Sequence, residues 1–437
     1  MTTGQQSREQ RPRRPEERSG RSTSAAAALF MENPTTAISP AAPRSRWREW
    51  TRSWAFRDVL VPFLVTRLAL VIIGWLAMQA LQGLPATPGA WEVKADGQLG
   101  RIASHVSPHV YPFVNMWARW DSGWYHSVAK YGYQFTPGKQ SSAAFFPLYP
   151  MAMRAAHLVI PGSSDLGWFV SGIIVANLSL LVALFYLVRL VRLDFGAGPA
   201  RRVGVYLLVF PTAFFFSAVY SEATFLAVTV AAFYHARRGQ WWIAGALGGL
   251  AALTRSPGIL LCVPLLIEYM AQRDYQLRRI RLDIAALGLV PLCLAGLLLY
   301  FQWRFGNAFA TRDAQAAWEG WGQLSWPWQP FVQIAQQKLV AKDLIDLTFA
   351  LVLLGLSITA AVRLRVSYGV YAILSYWFVT AWGSLASVPR YALAVFPIFI
   401  VLALLGRSRL FHQAYLVSAC ALSAFFMMMF AVWRWVA

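Results

Sequence analysis

From residue 59 to the C-terminus, apolar runs near bilayer-spanning length recur, separated by short basic clusters. That repeat leaves few folds open. In hydrocarbon every backbone polar group needs an internal partner, so a chain of such runs spans as helices unless it closes a barrel. A barrel requires alternating short strands, and none is seen. Only 13% of the 437 residues are charged and 57% are hydrophobic, against about 25% charged in soluble domains. The expected class is an all-α polytopic membrane protein.

The formal net charge of +20 could suggest nucleic acid, but its placement argues otherwise. Much of it lies in the first 57 residues and in "RLVRLDFGAGPARR", "ARRGQ", "QRDYQLRRIR", "RLR" and "GRSR" between apolar runs. That is the positive-inside pattern of cytoplasmic loops. No nucleic-acid partner is expected; the bilayer is. Cys262, Cys293 and Cys420 all sit inside apolar runs and read as packing residues. No Cys/His cluster has metal-site spacing.

Residues 1–57, rich in Arg, Pro, Ser and Ala, cannot build a core and read as a disordered basic cytoplasmic tail able to touch anionic lipid. The run 59–81 is too long for a signal-peptide core and reads as an uncleaved first span. Arg67 inside it is expected to snorkel to the near headgroups. The segment 143–160 holds two prolines and Arg154, and is laid in the interface or half-buried. Spans then fall at 168–190 and near 203–219, 222–236, 241–254, 258–271, 283–303, 346–362, 367–386, 391–405 and 411–433, about eleven crossings in all. The transmembrane domain is 58–437, with a first extracytoplasmic loop at 82–160 and a second large one at 304–345.

This topology, with the N-terminus inside, leaves ionisable side chains at the outer ends of helices. They fall in the loop with Asp121, in "YSEA", in "TRSPG", in the Trp-rich loop and in "SVPRY". Any chemistry is therefore expected on the extracytoplasmic face of a plasma membrane.

"WARWDSGWYHSVAKYGY", residues 117–133, gathers charge and aromatic rings in a chain that otherwise avoids charge. Trp124, Val128 and Tyr131 recur at helical spacing, which predicts a short amphipathic helix beginning just after Asp121. Asp121 reads either as its N-cap or as a carboxylate in an aromatic pocket with Trp120 and Tyr125, able to take a proton from a hydroxyl. His126 could be a second base, though a histidine on an interfacial helix is most simply solvated. Arg119 suits pairing with Asp121 or binding a phosphate. Glu222 is a helix-start acid favoured by the dipole, at an outer junction of two spans. Arg255 and Arg390 at two separate outer turns suit an anionic lipid phosphate. Trp318, Trp321, Trp326 and Trp328 are most simply an interfacial belt, although sugars also stack on such rings.

"RWDSGWYHSVAKYGY" followed by "AAFFPLYPMAMR" resembles the signature of the PIG-V-type mannosyltransferases. These comprise the second mannosyltransferase of glycosylphosphatidylinositol-anchor synthesis and actinobacterial relatives. The likeness continues through "VYSEATFLAVTVAAFYHARRGQWWIAGALGGLAALTRSPGILL", "FGNAFATRDAQAAW" and "SVPRYALAVFPIF". The resemblance implies a glycosyltransferase of superfamily C (GT-C) that draws on a polyprenyl-phosphate sugar, with Asp121 as general base. It implies in-line inversion, from a β-linked lipid-phosphate mannose to an α-mannoside on a lipid-linked, glycan or protein hydroxyl. Some members of the wider superfamily use a divalent cation, so a metal cofactor stays open. Arg255 and Arg390, with Arg312 behind them, are the candidates for the leaving phosphate. The rival readings are a flippase for a lipid-linked saccharide, which would want ionisable groups at the bilayer midplane, and a transferase for another polyprenyl-phosphate sugar.

Overall fold

A computed structural model describes residues 53–81, 110–160, 164–317, 325–336, 340–381 and 384–436. The basic tail before residue 53, and Trp318 and Trp321 of the expected aromatic belt, lie outside the described residues. Among those described, every regular element is helical. In chain order the principal helices are α1 (Val61–Ala80), α2 (Ser122–Tyr131), α3 (Leu148–His157), α4 (Asp165–Phe195), α5 (Ala197–Leu208) and α6 (Glu222–Arg237). Then come α7 (Trp241–Ala252), α8 (Cys262–Ala271), α9 (Leu289–Phe305), α10 (Ala310–Gln315), α11 (Gln329–Gln336) and α12 (Ala341–Arg363). The last are α13 (Val366–Thr380), α14 (Val388–Tyr391), α15 (Phe396–Leu405) and α16 (Arg409–Ala431).

The expectation of about eleven crossings is not confirmed. Among the described residues, five helical stretches are long and apolar enough to cross a membrane: Phe56–Ala80, Asp165–Phe195, Leu282–Phe305, Lys342–Arg363 and Arg409–Ala431. A sixth arises if Val388–Ala394 and Phe396–Leu405, bent by 85° at their junction, count as one broken span. Trp241–Ala252, Ser256–Ala271 and Val366–Thr380 are shorter apolar helices. The run 203–219 is no span at all: α5 stops at Leu208, a turn carries Pro211, and a single 3-10 turn follows at Ala213–Phe216. Proline cannot continue the helical ladder, and Phe214, Phe215 and Phe216 are buried in protein rather than facing outward. An apolar run that packs inside a bundle and one that faces lipid have the same composition, so hydropathy alone does not tell 203–219 from a span.

α4 is the longest helix, 31 residues or about 46 Å. It packs on α6, α5 and α3, so one helix supports both ends of the bundle. α6 lies almost wholly inside, with Phe225, Leu226, Val230 and Phe233 fully buried. Its first residue, Glu222, and its last, Arg237, stand about 22 Å apart along the axis and each enters a charged cluster. At the Arg237 end, Asp194 accepts from Arg237 Nη2 at 2.6 Å, and Glu268 accepts from Arg237 Nη1, Ser367 Oγ and Arg365 Nη2 at 3.1, 2.7 and 3.2 Å. The joints expected as plain basic clusters therefore hold two buried acids as well.

Close helix approach is glycine-dependent at one place near the Glu222 end. A Cβ on Gly258 would sit 2.2 Å from the Ala251 carbonyl oxygen, so only glycine lets the turn after Arg255 fold back onto α7.

Arg67 does not snorkel. It is buried in α1, and its Nη1 donates to the Ala213 carbonyl at 3.1 Å and to Ser217 Oγ at 3.0 Å, while Nη2 reaches the Leu208 carbonyl at 3.4 Å. The break at 208–217 exposes backbone carbonyls to an apolar interior, and the guanidinium supplies the donors they lack. Arg67→Met should lower stability by about 1–3 kcal/mol or more, because several buried acceptors lose their donor at once. Arg67→Lys should recover part of the loss; the thermal midpoint in detergent reads both.

Candidate active site

The loop Met116–Asp121 docks on the segment that leads into α6. Val219 N donates to the Trp117 carbonyl at 3.2 Å, and the Tyr220 hydroxyl donates to the Arg119 carbonyl at 3.1 Å while accepting from Asp121 N at 3.2 Å. One residue further, Tyr125 and Ser221 share a hydrogen bond of 2.7 Å. Two stretches about a hundred positions apart are thus zipped together, so that Asp121 and Glu222 meet the same guanidinium. Burial pushes the Tyr125 and Tyr220 hydroxyls up, away from neutral pH, so both remain proton donors.

Asp121 stands where an N-cap would, but it does not cap. Its backbone is already helical, φ −59° and ψ −17°, and its side chain bonds no backbone N–H of α2. A capping residue sits in the extended region. The carboxylate instead accepts from Arg390 Nη1 at 2.6 Å. Arg390 Nε lies 3.6 Å from Glu222 Oε1, and the same Oε1 accepts from Arg255 Nη1 at 2.6 Å. Arg255 Nη1 also reaches Ser221 Oγ at 3.3 Å.

The order is acid, arginine, acid, arginine, with no net charge. Rings close around it: Arg390 lies over Phe215, Tyr220, Tyr391 and Trp435, and Arg255 over Tyr391. Glu222 is 2% exposed and Asp121 24%, so the knot has a buried root and one end nearer solvent.

Two residues beside this knot hold a backbone conformation that side chains disfavour. Trp120 has φ 42° and Ser387 φ 70°. Each lies within a few residues of the partners of the Asp121–Arg390 bond. Such strain persists only where surroundings over-determine it. At Trp120 the surroundings are Phe430, Trp433 and Trp435, with ring centroids 5.4, 5.4 and 5.0 Å away.

The remaining candidates divide. Arg119 neither pairs with Asp121 nor opens to a phosphate. It is 1% exposed, and its Nη1 and Nη2 donate to the Asn115 carbonyl, Asn115 Oδ1 and the Ala431 carbonyl at 2.5, 2.7 and 2.7 Å, with Trp433 beneath it at 4.6 Å. It fastens the loop to the last turn of α16. His126 is not solvated: it is buried, lies flat on Phe169 and sits 3.0 Å from Asp165, which also receives Lys130 at 2.8 Å. That hydrogen bond raises the Lys130 ammonium above its usual range. Arg312 is exposed on α10, and among the described residues no bond or ion pair joins it to the knot.

The helix predicted after Asp121 is present as α2, but its buried side is broader than the spacing suggested. Tyr125, Val128 and Ala129 are buried, whereas Tyr131 is exposed. Trp326 and Trp328 are exposed and stacked at 5.0 Å. The cysteines form no disulfide among themselves. Among the described residues no three His, Cys, Asp or Glu side chains come together as a metal-binding group. Asp121 and Glu222 are each engaged by a guanidinium, a donor set that does not fit a divalent cation. Tyr220, Tyr391 and Trp435 were not singled out from the sequence. Tyr220 stands next to the flagged "SEA", and its adjacency is the one signal that could have found it.

An all-helical, multi-pass membrane protein that draws two acids and two arginines into one ring-lined knot is the class of molecule these helices build. The chain belongs to the mannosyltransferase (PIG-V) family, whose model matches residues 89–329. It is 31% identical over 151 residues to GPI alpha-1,6-mannosyltransferase 2 of Mus musculus and to that of Rattus norvegicus. The mouse match covers 33% of this chain and 29% of the relative, so the chain spans about three tenths of the curated relatives it matches. In fold it is similar to ArnT from Cupriavidus metallidurans bound to undecaprenyl phosphate (TM-score 0.49, 16% identity, 84% of this chain and 64% of that one). It is also similar to the apo Archaeoglobus fulgidus oligosaccharyltransferase (TM-score 0.45, 12% identity, 85% of this chain and 56% of that one).

The tyrosine that joins the two halves of the site gives a direct test of this geometry. Tyr220→Phe should cost about 1–3 kcal/mol, since the Arg119 carbonyl and the Asp121 N–H lose their shared partner in a buried place. A lowered midpoint in detergent melting is the expected outcome; an unchanged midpoint would mean the loop is held by other contacts.

Proposed function

We propose that this protein transfers a mannosyl residue from polyprenyl-phosphate-mannose to an acceptor hydroxyl at the extracytoplasmic face of the plasma membrane, with inversion. The observation that carries the reading is the convergence of Asp121 with Arg390, Glu222 and Arg255 from four separate chain segments. Inverting transfer needs a base on one face of the sugar and cations for the phosphate that leaves from the other. Asp121 is the one carboxylate of the knot with a quarter of its side chain exposed, which suits a group that must meet a hydroxyl. Arg390 and Arg255 are the cations for the leaving phosphate. Mannose as the sugar rests on family membership and on the name of the mammalian relatives.

In this reading the acceptor hydroxyl gives its proton to Asp121 as its oxygen attacks the anomeric carbon. The bond to the lipid phosphate breaks on the opposite face, and the departing monoanion gains charge that the guanidiniums stabilise. A β-linked donor would give an α-mannoside. GT-C architecture, the extracytoplasmic face and the cytoplasmic N-terminus remain part of this same proposal. The two assignments of side are supported by the basic clusters of the sequence, which fall at the Arg237 end of α6, away from Glu222.

One observation favours the flippase reading: a charge, Arg67, sits inside a span beside the helix break at 208–217. Its bonds all run to protein carbonyls and a serine hydroxyl, which suits a structural tie better than a transport site.

Asp121→Asn keeps the size of the side chain and cannot accept a proton. With radiolabelled polyprenyl-phosphate mannose and a crude lipid and glycan extract, the variant should fold and lose transfer by about 10²–10⁴-fold. Equal transfer by both proteins would move the base elsewhere, with Glu222 next in line. No transfer by wild type would return the flippase reading.

A further inference from the structure

The group proposed as base is not free to act as one, because Arg390 holds it at 2.6 Å. We infer that an anionic phosphate ester displaces Asp121 from Arg390, so that the carboxylate is released for the acceptor only once the phosphate-bearing lipid is bound. This rests on the transfer reading above and adds an order to it.

The argument is one of charge and burial. The knot holds two acids and two arginines and is neutral. A phosphate entering it leaves the cluster one or more negative charges in excess, and an excess charge away from water is costly. Withdrawal of one carboxylate removes one charge of that excess, and the two are unequal in their freedom to do so. Glu222 is 2% exposed, is held by Arg255 at 2.6 Å, and begins the buried helix α6. Asp121 is 24% exposed, and its carboxylate has no capping bond to hold it. Asp121 is therefore the carboxylate that moves.

Glu222 stays as the positioning residue that keeps the two guanidiniums side by side. The knot also has unused capacity. Arg390 Nε is buried without a hydrogen bond, and a guanidinium donor in that state is ready for an acceptor that Asp121 does not provide. The exchange moves no covalent bond: one ion pair replaces another. A base released only by its own donor leaves the acceptor site inactive while the donor site is empty.

The test is binding of citronellyl phosphate, a short isoprenyl phosphate, to the full-length protein in nanodiscs, with citronellol and inorganic phosphate alongside. If Asp121 competes for Arg390, removing it raises affinity, since the competent state no longer has to be freed first. Asp121→Asn and Asp121→Ser should each bind citronellyl phosphate about 10-fold more tightly than wild type, a coupling of ordinary size. Equal or weaker binding by both variants overturns the exchange while leaving transfer intact, because wild type still binds. No binding by any of the three overturns the exchange and the phosphate-donor reading together.

A gain confined to citronellyl phosphate supports exchange by the lipid ester. The same gain on inorganic phosphate supports exchange by phosphate as such. Should neither variant hold its fold, the infrared difference spectrum of wild type with and without citronellyl phosphate carries the readout. A shifted carboxylate band supports release, and an unchanged carboxylate region overturns it.

Discussion

A guanidinium taken out of water must be given acceptors, and the partners of Arg390 organise the site around that need. One acceptor, Asp121, comes from 269 positions earlier in the chain; the other, Glu222, opens a buried helix. Joining them through a single side chain brings together the loop after Met116, the start of α6 and the bent α14–α15 segment. Arg255 extends the chain of charges by one more step from the turn that Gly258 keeps tight. The surrounding rings of Phe215, Tyr220, Tyr391 and Trp435 exclude water and present faces to the guanidinium. Without the ion pairs, these rings would enclose an unpaired charge.

The same rule places the arginines that do no chemistry. Arg67 donates to the carbonyl of Leu208, the last residue of α5, and Arg119 to the carbonyl of Ala431, the last residue of α16. Helix C-termini carry unsatisfied carbonyls and a partial negative charge. Inside an apolar bundle water cannot serve them, so a buried arginine does. Two kinds of buried arginine therefore coexist. Those that meet carboxylates leave an exchangeable pair, and those that meet helix ends act as fixed staples, which is why Arg119, two residues before Asp121, plays no part in the knot.

Much of the site was legible because charge is scarce. In a chain with so few ionisable residues, Asp121, Glu222, Arg255 and Arg390 each stood out at a turn, and the charge rule put those turns on one side. The helix after Asp121 was legible from its spacing. What escaped depends on tertiary pairing that no local pattern encodes. His126 read as solvated because nothing near it in sequence announces Asp165, 39 positions on, or the flat face of Phe169. Arg67 read as a snorkelling cation because the broken segment that receives it lies some 140 positions away. The break inside 203–219 escaped for a related reason. The stretch 203–219 is apolar to suit a protein interior, and its helix ends at a turn with Pro211, which a hydropathy window averages over.

The posture of Asp121 shows how these levels meet. An aspartate before a helix ordinarily gains about 1 kcal/mol by capping it. Here that gain is forgone, since the residue has already entered helical φ/ψ and its carboxylate points to Arg390. The turn into that posture is made one residue earlier, at Trp120, where φ is 42°. Glycine would adopt that angle without strain, yet glycine would remove the ring that packs between Phe430, Trp433 and Trp435. A tryptophan in a strained conformation is thus a compromise between backbone and packing. The ring contacts hold the angle, the angle starts the helix early, and the early start leaves the acid uncommitted to its own backbone. A carboxylate so placed has only an arginine to give up, whereas a true cap would have to unwind the helix to act.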